Sequence, residues 1–432
     1  MDRIEQLYQH YLASTGVSTD TRTLKPGMVF FALRGPNFNA NKLASQALSQ
    51  GASLAVIDDE QYATHQTFLV NDVLTTLQQL ATHHRKQLSI PVLGINGTNG
   101  KTTTKELINA VLSTRFRTFA TRGNLNNHIG VPLTLLSTPE DTEMLVVELG
   151  ANAIGEIAAL CAIAQPTHGL TTNIGKAHLE GFGGLEGAIR GESEQYDYLI
   201  KNGKPAFLHS QDPILANMAK RFPQKPVTYP ASGDFLHVEL LSSQPFIVYR
   251  SEEGHDITTQ LPGRYNFVNI AAALCVGKYF GVNMNAAHRA VAAYTPRNKR
   301  SEIIEKEGVT IIMDAYNANP DSMKVAVENL QEMQHTHRVA ILGDMYELGS
   351  STEEEHRETG RMLRNSGIET VYLCGEFMHF AAEEFPGANY FSSKEDLAKH
   401  LSTQQFSSTT LLLKGSRGMA LETLLHHINA DQ

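Results

Sequence analysis

Tryptophan is absent from the 432 residues, and cysteine occurs only three times, at Cys161, Cys275 and Cys374. The three cysteines lie far apart without metal-ligand spacing. Each sits in an apolar stretch, where a thiol behaves as a small hydrophobe. This excludes a disulfide framework and a structural zinc site, and buried, reduced thiols are expected. No apolar run reaches the length that a membrane span requires. Residues 1–20 open with Asp2, Arg3 and Glu5 and lack the apolar core of a secretory leader, so a soluble, cytoplasmic protein with no membrane insertion is expected. Long basic runs are also missing and the formal charge is −9, which argues against a nucleic-acid surface. The hydrophobic fraction of 41% is that of a globular chain, and 432 residues exceed what one hydrophobic core usually supports. Three domains are favoured.

Strand-like and helical patterns alternate along the chain. The first 85 residues carry a strand at 27–33, a Gly/Pro/Asn loop at 35–41, a helical stretch near 43–50 and a strand at 53–57, which read as a small α/β domain. The polar run His83-His84-Arg85-Lys86 precedes a new apolar strand at 90–95, and the first boundary is placed there, at residue 85. The central unit, 86–295, continues with a helix from Lys101 to Ser113 and strands at 144–149 and 168–172, a pattern that implies a mostly parallel sheet. After Pro296, strands at 309–313, 338–342, 371–374 and 410–413 predict a third, doubly wound, Rossmann-like domain over 296–432. The charged run at 350–357 reads as a solvated helix start.

The strongest local signal is Gly94-Ile-Asn-Gly-Thr-Asn-Gly-Lys101-Thr102, set between an apolar strand and a helix. Glycines there let successive N–H groups turn inward toward phosphate oxygens, Lys101 supplies a point charge, and the Thr102 hydroxyl suits Mg²⁺. The loop Gly97, Thr98, Asn99, Gly100, Lys101, Thr102 and Thr103 is therefore the candidate ATP site, although Ile95 stands where the strict phosphate-loop pattern has its first glycine. Downstream, Glu148 and His178 follow the ends of apolar strands, where open α/β sheets place ligands. Glu148 is a hard oxygen donor for Mg²⁺, and His178 suits a second ion or an anion contact. Taken singly, each also reads as a structural residue.

These stretches resemble the Mur ligase family. The resemblance is carried by the loop at 97–103, by Gly123-Asn-Leu-Asn-Asn127-His-Ile-Gly-Val-Pro132, by Val147-Glu-Leu-Gly-Ala-Asn152 and by Thr172-Asn-Ile-Gly-Lys-Ala-His-Leu-Glu180. It extends through Asp314-Ala-Tyr-Asn-Ala-Asn-Pro320, Gly343-Asp-Met-Tyr-Glu-Leu-Gly349 with His356, and Lys414-Gly-Ser-Arg-Gly418. The resemblance implies ATP and Mg²⁺ as cofactors and an amide ligation through an acyl phosphate. UDP-N-acetylmuramoyl-tripeptide and D-alanyl-D-alanine are the implied partners, and a monomer is expected. It places Asp20, Thr21 and Arg22 at the nucleotide-sugar end, Asn126 and Asn127 at the muramyl substrate, Asn266, Asn269 and Asn317 near adenine, and Asp314 at the ribose. Arg300 then corresponds to an arginine that reaches the γ-phosphate, where a guanidinium neutralises charge on the transferring group. Its alternative is a surface ion pair with Glu302 or Glu305.

Three departures from the family pattern stand out. Tyr265 and Asn39-Ala40-Asn41 replace motifs that contain histidine in relatives. Glu192 stands where relatives carry a lysine that becomes a carbamate, and one reading has Glu192 supply that charge directly, as a fifth catalytic residue beside Lys101, Glu148, His178 and Arg300. The other has it as a solvated glutamate at a helix start, favoured by the helix dipole. Two further functions stay open: ligation of another amino acid, as in the third-residue Mur ligases or folate polyglutamate ligases, and a nucleotide-binding regulator without ligase chemistry.

Overall fold

The computed structural model describes residues 3–296, 299–306, 308–333 and 337–428. Its first layer is a parallel four-stranded sheet of Val17–Ser18 (β1), Val29–Phe31 (β2), Leu54–Ile57 (β3) and Thr67–Leu69 (β4), in that order. Helices Arg3–Leu12 (α1), Ala44–Ser49 (α2) and Val73–Gln87 (α3) pack on it. Asp72 caps α3 by accepting from the Thr75 N–H at 2.6 Å. The helix runs through the polar 83–86 segment, because Arg85 is buried and donates to the carbonyls of Ala164 and Gln165. That segment therefore packs on the central domain. The chain passes from one sheet to the next at 88–91, and one apolar cluster, with Leu77, Leu80, Val131, Val147 and Leu160, joins the two layers. Asn41 is fully buried and holds Asp58, accepting its N–H at 3.0 Å and donating to its carboxylate at 2.8 Å, so this departure from the family pattern has a structural role.

The central sheet has six parallel strands: Val92–Asn96 (β5), Thr118–Ala120 (β6), Met144–Glu148 (β7), His168–Thr171 (β8), Ala206–His209 (β9) and Val227–Tyr229 (β10). Their order is β10-β9-β8-β5-β7-β6, and all five residues of β5 and of β7 are buried, as strands covered on both faces must be. Helices Lys101–Leu112 (α4), Tyr265–Tyr279 (α10) and Met284–Ala293 (α11) cover one face. The other carries α3, Gly130–Leu136 (α5) and Glu156–Ala164 (α6). Leu179–Phe182 (α7) and Leu185–Lys201 (α8) follow β8, and Pro213–Ala219 (α9) follows β9. A three-stranded antiparallel sheet of Glu239–Ser242 (β11), Val248–Arg250 (β12) and Asp256–Thr258 (β13) was not anticipated from sequence; its short strands alternate too weakly to stand out.

The third domain is a six-stranded sheet of Glu302–Lys306 (β14), Val309–Met313 (β15), His337–Gly343 (β16), Thr370–Cys374 (β17), Asn389–Phe391 (β18) and Thr409–Lys414 (β19). Its order is β14-β15-β19-β16-β17-β18, parallel throughout except for β14, which pairs antiparallel with β15. Helix Pro320–Glu332 (α12) starts at a capping box between Asn319 and Ser322. Helix Thr352–Arg364 (α13) carries the charged run, and the expectation of a solvated start is corrected at two residues. His356 is fully buried, and Glu355 reaches across to Lys176 of the central domain at 2.6 Å. The three cysteines are free and buried.

Candidate active site

The C-terminal ends of β5, β7 and β8 face those of β15, β16 and β19 across a cleft of about 690 Å³. This is where an open parallel sheet presents helix N-termini and loops to a ligand. From the central domain it is lined by Thr98, Asn99, Gly100, Lys101, Thr103, Asn126, Asn127, Glu148, His178, Asn266 and Asn269. Arg300, Asp314 and Asn317 face them from the third domain. Fourteen candidates widely separated in sequence therefore meet in one place.

The loop between β5 and α4 depends on glycine at two points. Gly97 has φ +123°, and a Cβ there would lie 2.3 Å from Thr172 Oγ1; Gly100, φ +80°, begins α4 in a left-handed conformation. Lys101 folds back on its own loop, with Nζ donating to the Gly97 carbonyl at 2.5 Å and the Thr98 carbonyl at 3.2 Å. Its ammonium thus lies over a helix N-terminus, which fits a polyphosphate. Thr102 lies just beneath the cleft and donates to Glu148 Oε1 at 3.2 Å, and Asn126 donates to the same oxygen at 2.8 Å. Glu148 is 1% exposed, and its Oε2 has no hydrogen-bond partner. A hydroxyl and a carboxylate are hard donors, Glu148 Oε2 accepts no hydrogen bond although the Lys105 ammonium lies 3.6 Å away, and Mg²⁺ ordinarily adds phosphate and water to one or two such groups, so the residues present fit this ion. Asn127 Oδ1 accepts the N–H groups of Ile129 and Gly130, so this residue both faces the cleft and caps the start of α5.

His178 has φ +48° and precedes α7, and its Nδ1 lies 2.6 Å from Glu347 Oε2 of the third domain. Burial holds its pKa below the ordinary histidine value; Glu347 opposes this and Lys101 adds to it. Asn266 and Asn269, buried on α10, form a chain in which Asn269 donates to Asn266 Oδ1 at 2.9 Å and accepts from Thr104 at 3.1 Å. Tyr265 reaches Ser301 Oγ of the third domain at 2.6 Å, which gives the second departure a bridging role.

On the opposite wall the Arg300 guanidinium stacks 3.9 Å from the Tyr316 ring centroid. The alternative ion-pair partners are engaged elsewhere: Glu302 accepts the Lys299 N–H, and Glu305 accepts the Thr310 hydroxyl. Asp314 accepts from Lys414 Nζ at 2.6 Å, and Asn317 accepts from the Arg417 N–H at 3.4 Å. Asp20, Thr21 and Arg22 lie outside the cleft, in the first domain. There Arg22 pairs with Asp20 at 2.6 Å and, by hydrogen bonding, lowers that carboxyl to about 2.

Glu192 also lies outside the cleft. It is 4% exposed in the middle of α8, so the solvated helix-start reading is overturned. Its Oε2 accepts from Asn96 Nδ2 at 2.8 Å and from the Gly97 N–H at 3.0 Å, beneath the loop. Burial raises its pKa, while Lys101 and these two hydrogen bonds pull it back.

Several groups in or just behind the cleft were not singled out from sequence. Lys105, 2% exposed on α4, lies 3.6 Å from Glu148 Oε2; a lysine one helical turn after Lys101, among buried threonines, was the available signal. Glu347, Tyr316 and Lys414 lie in motifs that carried the family resemblance but received no role. Asn319 forms a reciprocal amide pair with Asn99 at 2.9 and 3.3 Å, a contact between the phosphate loop and the third domain that no local pattern announces.

Residues 95–277 match the family model described as Mur ligase middle domain, and residues 299–417 match the Mur ligase, glutamate ligase domain. The chain is 35% identical to the UDP-N-acetylmuramoyl-tripeptide–D-alanyl-D-alanine ligase of Bacillus subtilis, over 95% of this chain and 92% of that one. It superposes on a MurF crystal structure from Acinetobacter baumannii with a TM-score of 0.86 at 30% identity, covering 97% of each chain. A MurF ligase from Thermotoga maritima in complex with ADP aligns with a TM-score of 0.85 at 27% identity, over 96% of this chain and 97% of that one. With the phosphate loop, the carboxylate and the facing arginine in one cleft and both family domains matched in order, this chain belongs to the Mur ligase family.

Proposed function

We propose that the protein is an ATP-dependent ligase that joins D-alanyl-D-alanine to UDP-N-acetylmuramoyl-tripeptide, giving the pentapeptide precursor of peptidoglycan with release of ADP and phosphate. The observation that carries this reading is the meeting of Lys101, Glu148 and His178 with Arg300 and Asp314 across one cleft between two domains. ATP bound there would supply the phosphoryl group, and Thr102, Glu148 and His178 would hold the Mg²⁺ that neutralises its oxygens. Lys101 and Arg300 stabilise the charge that spreads over the transferring group, a task that rests on positioning and electrostatics. The tripeptide carboxylate takes up the phosphoryl group. The dipeptide amine then attacks the acyl carbon, and phosphate leaves.

Asn266, Asn269 and Asn317 hold the base in this reading, and Asp314 holds the ribose, kept in place by Lys414. Asn126 and Asn127 present amides to the muramyl end, and Asp20, Thr21 and Arg22 hold the distant uridine diphosphate. The first domain, 1–85, thus binds the nucleotide sugar, the central domain, 86–295, binds ATP, and the third, 296–432, brings the amine. The contacts of Lys176 with Glu355 and of Asn99 with Asn319 hold the third domain over the loop and exclude water from the acyl phosphate. A monomer acting in the cytoplasm is consistent with this scheme; among the described residues no helix is long and apolar enough to cross a membrane.

The test is incubation with Mg-ATP, UDP-N-acetylmuramoyl-tripeptide and D-alanyl-D-alanine, omitting each in turn. Stoichiometric phosphate together with the pentapeptide mass, formed only in the complete mixture, is the expected result. Nucleotide binding without that product overturns the assignment in favour of another acceptor.

A further inference from the structure

Helix α8 is brought unusually close to the central sheet. Gln195 donates from Nε2 to the Gly94 carbonyl at 2.8 Å, and a Cβ on Gly169 would lie 2.2 Å from that same nitrogen. Glycines on β5 and β8 therefore admit the helix face that carries Glu192 and Gln195, one turn apart. On that face Glu192 meets the point where β5 becomes the phosphate loop. Its Oε2 accepts the Gly97 N–H and the Asn96 side-chain amide, its backbone carbonyl accepts the same amide at 2.7 Å, and Asn96 Oδ1 in turn accepts the Thr171 hydroxyl at 2.7 Å. Asn96 is fully buried, and both its side-chain nitrogen and its side-chain oxygen are paired away from water.

The geometry points to Glu192 as a positioning residue that fixes the start of the phosphate loop from behind, through the Gly97 N–H and Asn96, rather than a group that enters the cleft. Gly97, at φ +123°, has its own N–H held by Glu192, while its two neighbours are tied to the next strand end, the Thr172 N–H donating to the Asn96 carbonyl at 3.0 Å and the Thr98 N–H to the Asn173 carbonyl at 2.9 Å. Removing the carboxylate releases the Gly97 N–H. The loop amides and Lys101 then sample orientations that do not face the phosphates, and the nucleotide must reorder them on binding. The consequence is a loss of nucleotide affinity that exceeds the loss in the chemical step.

This inference rests on the proposed nucleotide site but not on the identity of the acceptor, so it is read from nucleotide binding on the whole chain. A non-hydrolysable ATP analogue with Mg²⁺ is titrated calorimetrically into wild type, Glu192→Ala, Glu192→Asp and Glu192→Gln. An acceptor of the right length is what the brace needs. Ala and Asp are expected to weaken binding by about tenfold or more, and Gln, which keeps an oxygen for the Gly97 N–H, restores it to within about threefold of wild type. Hydrogen exchange at the Gly97 amide is expected to be slow in wild type and in the Gln variant. Equal loss in Gln and Ala, with Gly97 protected in both, overturns the proposal, because the charge and not the brace then matters. Wild-type affinity in Glu192→Ala overturns it as well. Should Glu192→Ala fail to fold, the Asp and Gln pair and the wild-type exchange rate decide the question. Analogue binding by wild type without amide formation contradicts only the ligase assignment.

Discussion

Replacing Lys105 by methionine removes the ammonium that faces Glu148 without removing the aliphatic stem that fills the space beside it. The two side chains are 3% and 1% exposed and 3.6 Å apart, so the remaining carboxylate is left largely desolvated without its partner. Breaking a buried pair by deleting one member typically costs about 3–5 kcal/mol, and the separation here places the cost near the lower end, about 3 kcal/mol. For a domain of this size each kcal/mol moves the midpoint by about 2–4 °C, giving a drop of about 6–12 °C. With no tryptophan in the chain, calorimetry or far-ultraviolet circular dichroism is the suitable assay. Lys105→Met/Glu148→Gln discards both charges and is expected to regain at least half of the lost stability, since a neutral amide still accepts from Thr102 or Asn126. A midpoint within about 1 °C of wild type in the single variant, or a double variant no better than the single, would refute the reasoning.

Arg300→Ala is expected to lower kcat by about 10³-fold with a much smaller change in nucleotide affinity, and Arg300→Lys to recover only part, because a lysine has neither the planar fork nor the stack on Tyr316; steady-state kinetics beside calorimetric binding checks both. His168 is pushed down to about 4, chiefly by burial against Phe207 and Phe280. The unfolded chain therefore takes up this proton first, so the contribution is complete above about pH 6.5 and is lost as pH falls toward 4, up to about 3 kcal/mol in all. Denaturant melts across that window should show wild type losing this stability as pH falls, and His168→Phe, which has no imidazole to protonate there, losing correspondingly less. Lys176→Ala deletes a partly exposed pair with Glu355 and should cost no more than about 1 kcal/mol. Asp321→Ala also removes the acceptor of the Lys176 N–H at 2.6 Å and should enlarge the radius of gyration measured by small-angle scattering.

The phosphate loop was legible because its chemistry is local. Glycines, Lys101 and Thr102 are consecutive, and the apolar strand before them and the helix after them have clear periods. The seven strands predicted in the two larger sheets each end within about two residues of the predicted limit, since strands buried on both faces read as continuous apolar runs, whereas Thr118–Ala120, Ala206–His209, Val227–Tyr229, Glu302–Lys306 and Asn389–Phe391 were not predicted. The antiparallel sheet at 239–258 was invisible because its strands are three or four residues long and half exposed. Glu192 shows the limit most clearly. Its position was noted from a departure in pattern, but its partners, Asn96 and Gly97, are almost a hundred residues away, and only the approach of α8 over Gly94 and Gly169 decides which way the carboxylate points. Lys105 was passed over for the same reason: on paper it is one more lysine on a helix, and its burial beside Glu148 is a product of the sheet order.

The central claim is that the tripeptide carboxylate attacks the γ-phosphate before the amine arrives. A substrate labelled with ¹⁸O in that carboxylate tests it directly, by mass spectrometry of the released phosphate after turnover with Mg-ATP and D-alanyl-D-alanine. The account predicts one ¹⁸O atom in each phosphate, because the carboxylate oxygen leaves with the phosphoryl group when the amide forms. Unlabelled phosphate accompanying labelled product would contradict an acyl phosphate and with it the roles assigned to Lys101 and Arg300.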